Sequence, residues 1–176
     1  MIYPKKATHH EWLFVAAMNF YKTVAIFMCG WYNKCNRILK GGGILQYIIF
    51  DLEWNCAFYG KDKHIHEIIE IGAVLLDENF NEIDRFSQFV RPTTTKKLNK
   101  YVKNLTHITD QDVNSAADFK TVLHEFEQFK RQPDTIYMTW SDTDLHVLSE
   151  NCREFLKCES ADFIEKYKEG AVKKLI

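Results

Sequence analysis

The chain has 176 residues, 46% of them hydrophobic and 27% charged, with a formal net charge of −1 at pH 7. That length and balance fit one globular domain with a sizeable core, and the near-neutral charge argues against a broad basic field for non-specific duplex binding, leaving room for a few nucleotides held in a cleft. Five cysteines, Cys29, Cys35, Cys56, Cys152 and Cys158, include no Cys-x-x-Cys pair, which argues against a zinc site or disulfide framework and suits a reducing cytoplasm.

Within residues 1–45, Trp12 to Tyr32 is mostly apolar, interrupted by Asn19 and Lys22. The stretch is long enough for a bilayer span, yet a lysine near its middle costs about 2.5–3.5 kcal/mol on insertion. Lys5 and Lys6 precede it and Arg37 and Lys40 follow, so flanking charge sets no orientation. No small-residue cleavage site marks a signal peptide. Three readings stay open: a membrane anchor, against which Lys22 weighs; a helix covering the domain; and a non-native extension ahead of a start near Leu45. Purine-rich codons behind Lys40-Gly41-Gly42-Gly43 would fit the last.

Gln46 to Glu53 predicts the first strand. Tyr47-Ile48-Ile49-Phe50 is apolar, aromatic or β-branched, the composition of a strand buried on both faces. Asp51 and Glu53 follow at spacing i, i+2, which a strand places on one face. Two ionised carboxylates side by side repel and are costly to bury unpaired. A hard cation with oxygen ligands, Mg²⁺ or Mn²⁺, resolves that conflict. The other reading is a strand end surfacing into water, and these residues alone leave both open.

Cys56 to His64 reads as a polar turn region. Ile65 to Leu76 is a second apolar run, Asp77-Glu78-Asn79 a turn, and Ile83 to Val90 a third strand stopped by Pro92. Short polar connections predict an antiparallel meander. Glu70, inside the second strand, reads as a structurally paired glutamate. His64 and His66 read as exposed residues beside a turn rather than metal ligands. A helix over Thr95 to Lys103 would put Lys96, Lys100 and Lys103 on one face, solvated rather than bound to phosphate.

Ser115-Ala116-Ala117-Asp118 has capping-box spacing with Asp in the acidic position. On the helix it would open, Phe119, Val122, Leu123, Phe126 and Phe129 share a core-facing stripe. Gln132-Pro133-Asp134 ends that helix. Thr135 to Trp140 predicts a fourth strand, parallel to the first after a right-handed crossover. A last helix opens at Ser141 or Asp142, with Asp142 the expected cap and Leu145, Leu148, Cys152 and Phe155 inward. Asp144 lies in its first turn, where the helix dipole favours a carboxylate.

Phe50-Asp51-Leu52-Glu53 resembles the first motif of the DEDD exonucleases, the family of RNase T, oligoribonuclease and the proofreading subunit of replicative polymerases. His66 to Val74, Leu105-Thr106-His107-Ile108-Thr109 and Trp140-Ser141-Asp142-Thr143-Asp144 follow in the family's order. The histone-mRNA exonuclease and KapD-type branch is the nearest in pattern. The resemblance implies an α/β fold with an RNase H-like mixed sheet and flanking helices over residues 46–176, its C-terminal part missing.

It also implies a two-metal site for Mg²⁺ or Mn²⁺. Asp51 would bridge both ions, Glu53 would hold one, and Asp144, the second-motif aspartate, would bind directly or through water. Leu52, Trp54, Thr106, His107 and Thr109 would lie against the terminal nucleotide, with His107 where the family carries glycine. The implied partner is a single-stranded 3′ end, RNA more than DNA by branch. The family's third motif, His-x-x-x-x-Asp or Tyr-x-x-x-Asp, has no match: five residues after His146 stands Asn151, and four after Tyr167 stands Ala171. The expectation is a chain that stops before that motif and lacks its general base, a loss of about 10²–10⁴-fold. The alternatives are a catalytically inactive nucleic-acid-binding module and a membrane-anchored protein.

Residues 1–45 match nothing in the family, so a chain begun near Leu45 is expected to melt at the same temperature as the whole. A large drop on deletion would instead support the covering helix.

Overall fold

The computed structural model describes residues 46–55, 65–131, 135–139, 141–157 and 173–174. Residues 1–45 with their apolar stretch, His64 and its turn region, Gln132-Pro133-Asp134, Trp140, the tail from Cys158 to Val172 with Asp162 and Tyr167, and Leu175-Ile176 lie outside the described residues.

Three long strands form the expected meander: β1 (Gln46–Asn55), β2 (Glu67–Leu76) and β3 (Glu82–Arg91). β1 pairs antiparallel with β2, and β2 antiparallel with β3. The first helical crossover returns the chain as β5 (Thr135–Thr139), parallel to β1 from Gln46↔Thr135 to Ile49↔Met138. Two short pairings complete the order β4-β3-β2-β1-β5-β6. They are β4 (Ala117–Asp118), parallel to β3, and β6 (Lys173–Lys174), parallel to β5. Neither was legible beforehand, because two residues carry no periodicity. The helices are α1 (Lys100–Thr106), α2 (Asp110–Asn114), α3 (Phe119–Gln128) and α4 (Asp142–Leu156).

The period of two sorts the strands. Ile48, Phe50 and Leu52 face the layer of α3 and α4, where Phe126 and Leu148 are buried with them. Each such side chain fully removed from water contributes about 1.5–3 kcal/mol. β2 is buried along its whole length, as its near-continuous apolar run requires of a central strand. On the opposite face a smaller cluster joins Ile69 to Leu98, Val102, Ile108 and Val113 of the α1–α2 segment.

Local capping differs from expectation in three places. The box sits at Thr109–Asp112, opening α2, while Ser115 closes that helix and Asp118 alone caps α3 by accepting from the Thr121 amide. The chain needs Ala117 and Asp118 extended to pair with β3, so a helix cannot begin at Ser115. Ser141, rather than Asp142, caps α4. α1 begins at Lys100, capped by Asn99, so Lys96 and Lys97 precede the helix and the three-lysine face does not form; Lys103 pairs with Asp110.

The segment leading into α1 is tied to the ends of β1 and β2. Asn55 donates to Thr95 Oγ1 (2.9 Å) and accepts from the Asn99 amide (2.8 Å). The buried Glu67 carboxylate accepts from the amides and hydroxyls of Thr93 and Thr94. At the far end of α1, His107 adopts φ 61°, ψ 8° and donates its amide to Lys103 O. This left-handed C-cap favours glycine, which has no Cβ to clash, and explains why glycine suits this position of the motif. His107→Gly is expected to be more stable than His107→Ala by about 1 kcal/mol. That difference reads as about 2–4 °C in melting temperature. Equal stabilities would show that the backbone there is unstrained.

Candidate active site

Asp51 and Glu53 lie on the sheet face opposite α3 and α4. Across the ladder Asp51 stands opposite Gly72, which in turn stands opposite Ser87. Gly72 places no side chain of its own opposite the Asp51 carboxyl. Glu53 stands opposite Glu70, whose Oε1 accepts from Ser87 Oγ at 2.9 Å. Between Glu53 and Trp54 the register slips, because Trp54 pairs with Ile68 and leaves Ile69 as an extra residue. Such a bulge re-aims side chains beside it. Here Ile69 joins the α1–α2 cluster while Glu70 stays opposite Glu53.

Asp144 reaches this edge from α4. The β1–β5 pairing ends at Ile49↔Met138, and further along β1 the Leu52 amide donates to Asp144 Oδ1 at 3.4 Å. Thr139 Oγ1 donates to Oδ2 at 2.8 Å, and Ser141 Oγ lies 3.4 Å from the same oxygen. Asp144 as a whole is 4% exposed.

The four carboxyls act on one another. Burial, then the Asp144 and Glu53 charges, push Asp51 up to about 7. Burial, then Glu70 and Asp144, push Glu53 up to about 7. Burial also lifts Glu70 to about 7 against the opposing hydrogen bond from Ser87, with Asp51 adding to the rise. Asp144 is raised by burial, with the bonds from Thr139 and Leu52 holding it back.

Asp51, Glu53 and Asp144 are therefore brought together, and Glu70 joins them. The sequence reading took Glu70 as a paired structural glutamate. The one signal was a charged residue inside an apolar strand; only the register shows that it faces Glu53. The residues expected against the terminal nucleotide are placed as follows. The Leu52 side chain is in the helix-covered core and Trp54 packs against the same core, so what Leu52 offers the site is its amide. Thr106 is buried, donating to Val102 O and accepting from the Ile108 amide. Thr109 caps α2 with its hydroxyl, and His107 is exposed between them. His66 lies with its ring 6.4 Å from Trp54. His146 is exposed and pairs with Glu150 at 3.6 Å.

Among the described residues, no three His, Cys, Asp or Glu side chains are gathered closely enough to hold one ion directly. Asp144 accepts hydrogen bonds from the Leu52 amide, Thr139 and Ser141. The donor chemistry nonetheless fits a hard divalent cation: all oxygen, buried, and mutually repelling. Mg²⁺ in particular keeps several waters and takes only one or two carboxylates.

The raised carboxyls have a consequence for stability. Asp51, Glu53 and Glu70 titrate near 7 in the fold, against 3.8 and 4.5 as ordinary values. Between those limits the folded chain holds more protons than the unfolded one, so stability falls as pH rises. Their contribution is fully present below the ordinary values and is lost as pH rises through about 7. Without divalent metal, Asp51→Asn is expected to raise the melting temperature at about pH 8 and to change it little near pH 4. An equal effect at both pH values would refute the coupling.

The profile of the RNase T exonuclease family matches residues 48–171. The chain is 29% identical over 108 residues to the probable 3′–5′ exonuclease KapD of Bacillus subtilis, covering 60% of this chain and 52% of that protein. It is 40% identical over 99 residues to human 3′–5′ exoribonuclease 1, covering 53% of this chain and 28% of that one. It thus spans about half or less of these relatives' length. The solved nuclease domain of 3′hExo, a DEDDh family member bound to rAMP, superposes with a TM-score of 0.58 at 25% identity, covering 67% of this chain and 62% of that one. With the motif order, the mixed sheet and the carboxylate edge in agreement, the chain belongs to the RNase T exonuclease family of the DEDD superfamily.

Proposed function

We propose that the chain is a metal-dependent 3′–5′ exonuclease domain acting on single-stranded ends, RNA before DNA. The observation that carries this reading is the meeting of Asp51, Glu53 and Asp144 at one sheet edge, where open α/β sheets bind ligands. Asp51 and Glu53 would hold Mg²⁺ or Mn²⁺ directly, and Asp144 directly or through water. When bound, the ions would stabilise the attacking and leaving oxygens of the phosphodiester. Leu52 and Thr139 fix the Asp144 carboxyl by donating to its two oxygens. Gly72 leaves room beside Asp51 for ions and phosphate. The α1–α2 loop with His107 and Thr109, anchored through Ile108 to Ile69, would receive the terminal nucleotide. RNA is favoured because the relatives include exoribonucleases by name.

The third-motif base is not supplied by His146, which is exposed and paired with Glu150. Among the described residues no helix is long and apolar enough to cross a membrane; a cytoplasmic setting rests on the cysteine pattern.

The full chain is expected to bind Mn²⁺ weakly, to lose that binding in Asp51→Ala, and to cleave 3′-labelled single-stranded RNA little in excess Mn²⁺. Groups that act as a unit lose activity together when one is absent. Robust cleavage abolished by Asp51→Ala would establish the enzyme and show that another residue serves as base. No detectable Mn²⁺ binding would overturn the metal site.

A further inference from the structure

We propose that Asn151 is a positioning residue, locking α4 to the β2 bulge so that Asp144 meets β1; the proposal rests on the reading of Asp144 as a group of the metal site. α4 carries two buried polar side chains, Asp144 at 4% and Asn151 at 0% exposure. They are seven residues apart, two helical turns, and so share one face. Each accepts a backbone amide from the sheet: Asp144 from Leu52 of β1 at 3.4 Å, Asn151 from Ile68 of β2 at 3.0 Å. Asn151 also donates to His66 O at 2.7 Å and to Val147 O at 2.8 Å. Its amide is thereby satisfied on both sides, which a buried amide requires.

The place of the second anchor matters. Ile68 pairs with Trp54 just past the slipped register that brings Glu70 opposite Glu53. Asn151 therefore ties the helix bearing one carboxylate to the strand segment bearing another. Apolar packing alone tolerates sliding of a helix over a sheet; hydrogen bonds to fixed amides at two points, two turns apart, do not. An apolar residue of similar size at 151 would fill the space yet leave the Ile68 amide and the His66 carbonyl without this partner.

The test compares the full chain with Asn151→Leu, with the milder Asn151→Ser, and with Leu148→Ala as a core control on the same helix. Ser keeps a hydroxyl for Val147 O and gives up the bonds to the sheet. The first readout needs no metal: amide hydrogen exchange at Leu52 relative to Phe50. Both Asn151 variants are expected to speed Leu52 selectively by about tenfold, while Leu148→Ala changes the two amides alike. The second readout is Mn²⁺ affinity, expected to fall about tenfold or more in the Asn151 variants, as for groups that orient metal ligands, and to hold in Leu148→Ala. Faster exchange at Ile68 with none at Leu52, or the same pattern in all three variants, would overturn the proposal. Selective loosening of Leu52 in a chain that binds no Mn²⁺ would uphold the positioning and reject the metal reading instead.

Discussion

Keeping like charges together under cover is the constraint around which this domain is arranged. Asp51, Glu53, Glu70 and Asp144 repel one another in surroundings that weaken their hydration, and burial is the largest cause of the upward shift in each. A fold built only for stability would place apolar side chains there, since buried charge rarely repays its desolvation. The surrounding structure holds the cluster in place. Gly72 avoids crowding Asp51, Ser87 holds Glu70, and Thr139 with the Leu52 amide holds Asp144.

Two local irregularities do most of the aiming. The slip at Glu53/Trp54 lets Ile69 and Glu70 serve the same side of the sheet, one as an apolar anchor for the α1–α2 loop, the other as a carboxylate. β5 pairs with β1 only as far as Ile49, and the helix that follows brings its first turn to the part of β1 beyond. Departures from ideal geometry cluster at functional sites because consistency elsewhere supports them.

The relatives are longer than the part this chain matches, and the solved neighbour shares the fold at modest identity. What the chain itself contributes is a buried acidic cluster of Asp51, Glu53, Glu70 and Asp144. His146, the histidine nearest Asp144 in sequence, is exposed and lies 3.6 Å from Glu150.

Much of the fold was legible in the sequence. The meander, the parallel return and the core stripe of α3 follow from periodicity, a local property of each segment. So does the common face of Asp51 and Glu53, because a strand alternates whatever surrounds it. The order of motifs identified the family. Tertiary structure decided what depends on pairing between distant segments. Glu70 is a neighbour of Glu53 only through a register with a one-residue slip. Leu52 is a donor to Asp144 only because β5 stops pairing short of it. Ser115 could not open a helix because Ala117 and Asp118 are claimed by β3. Asn151, a polar residue on a helix face, becomes an anchor only when the bulge of β2 is set against it. Local composition encodes which way a side chain points, whereas its partner is set by the packing of segments far apart in the chain.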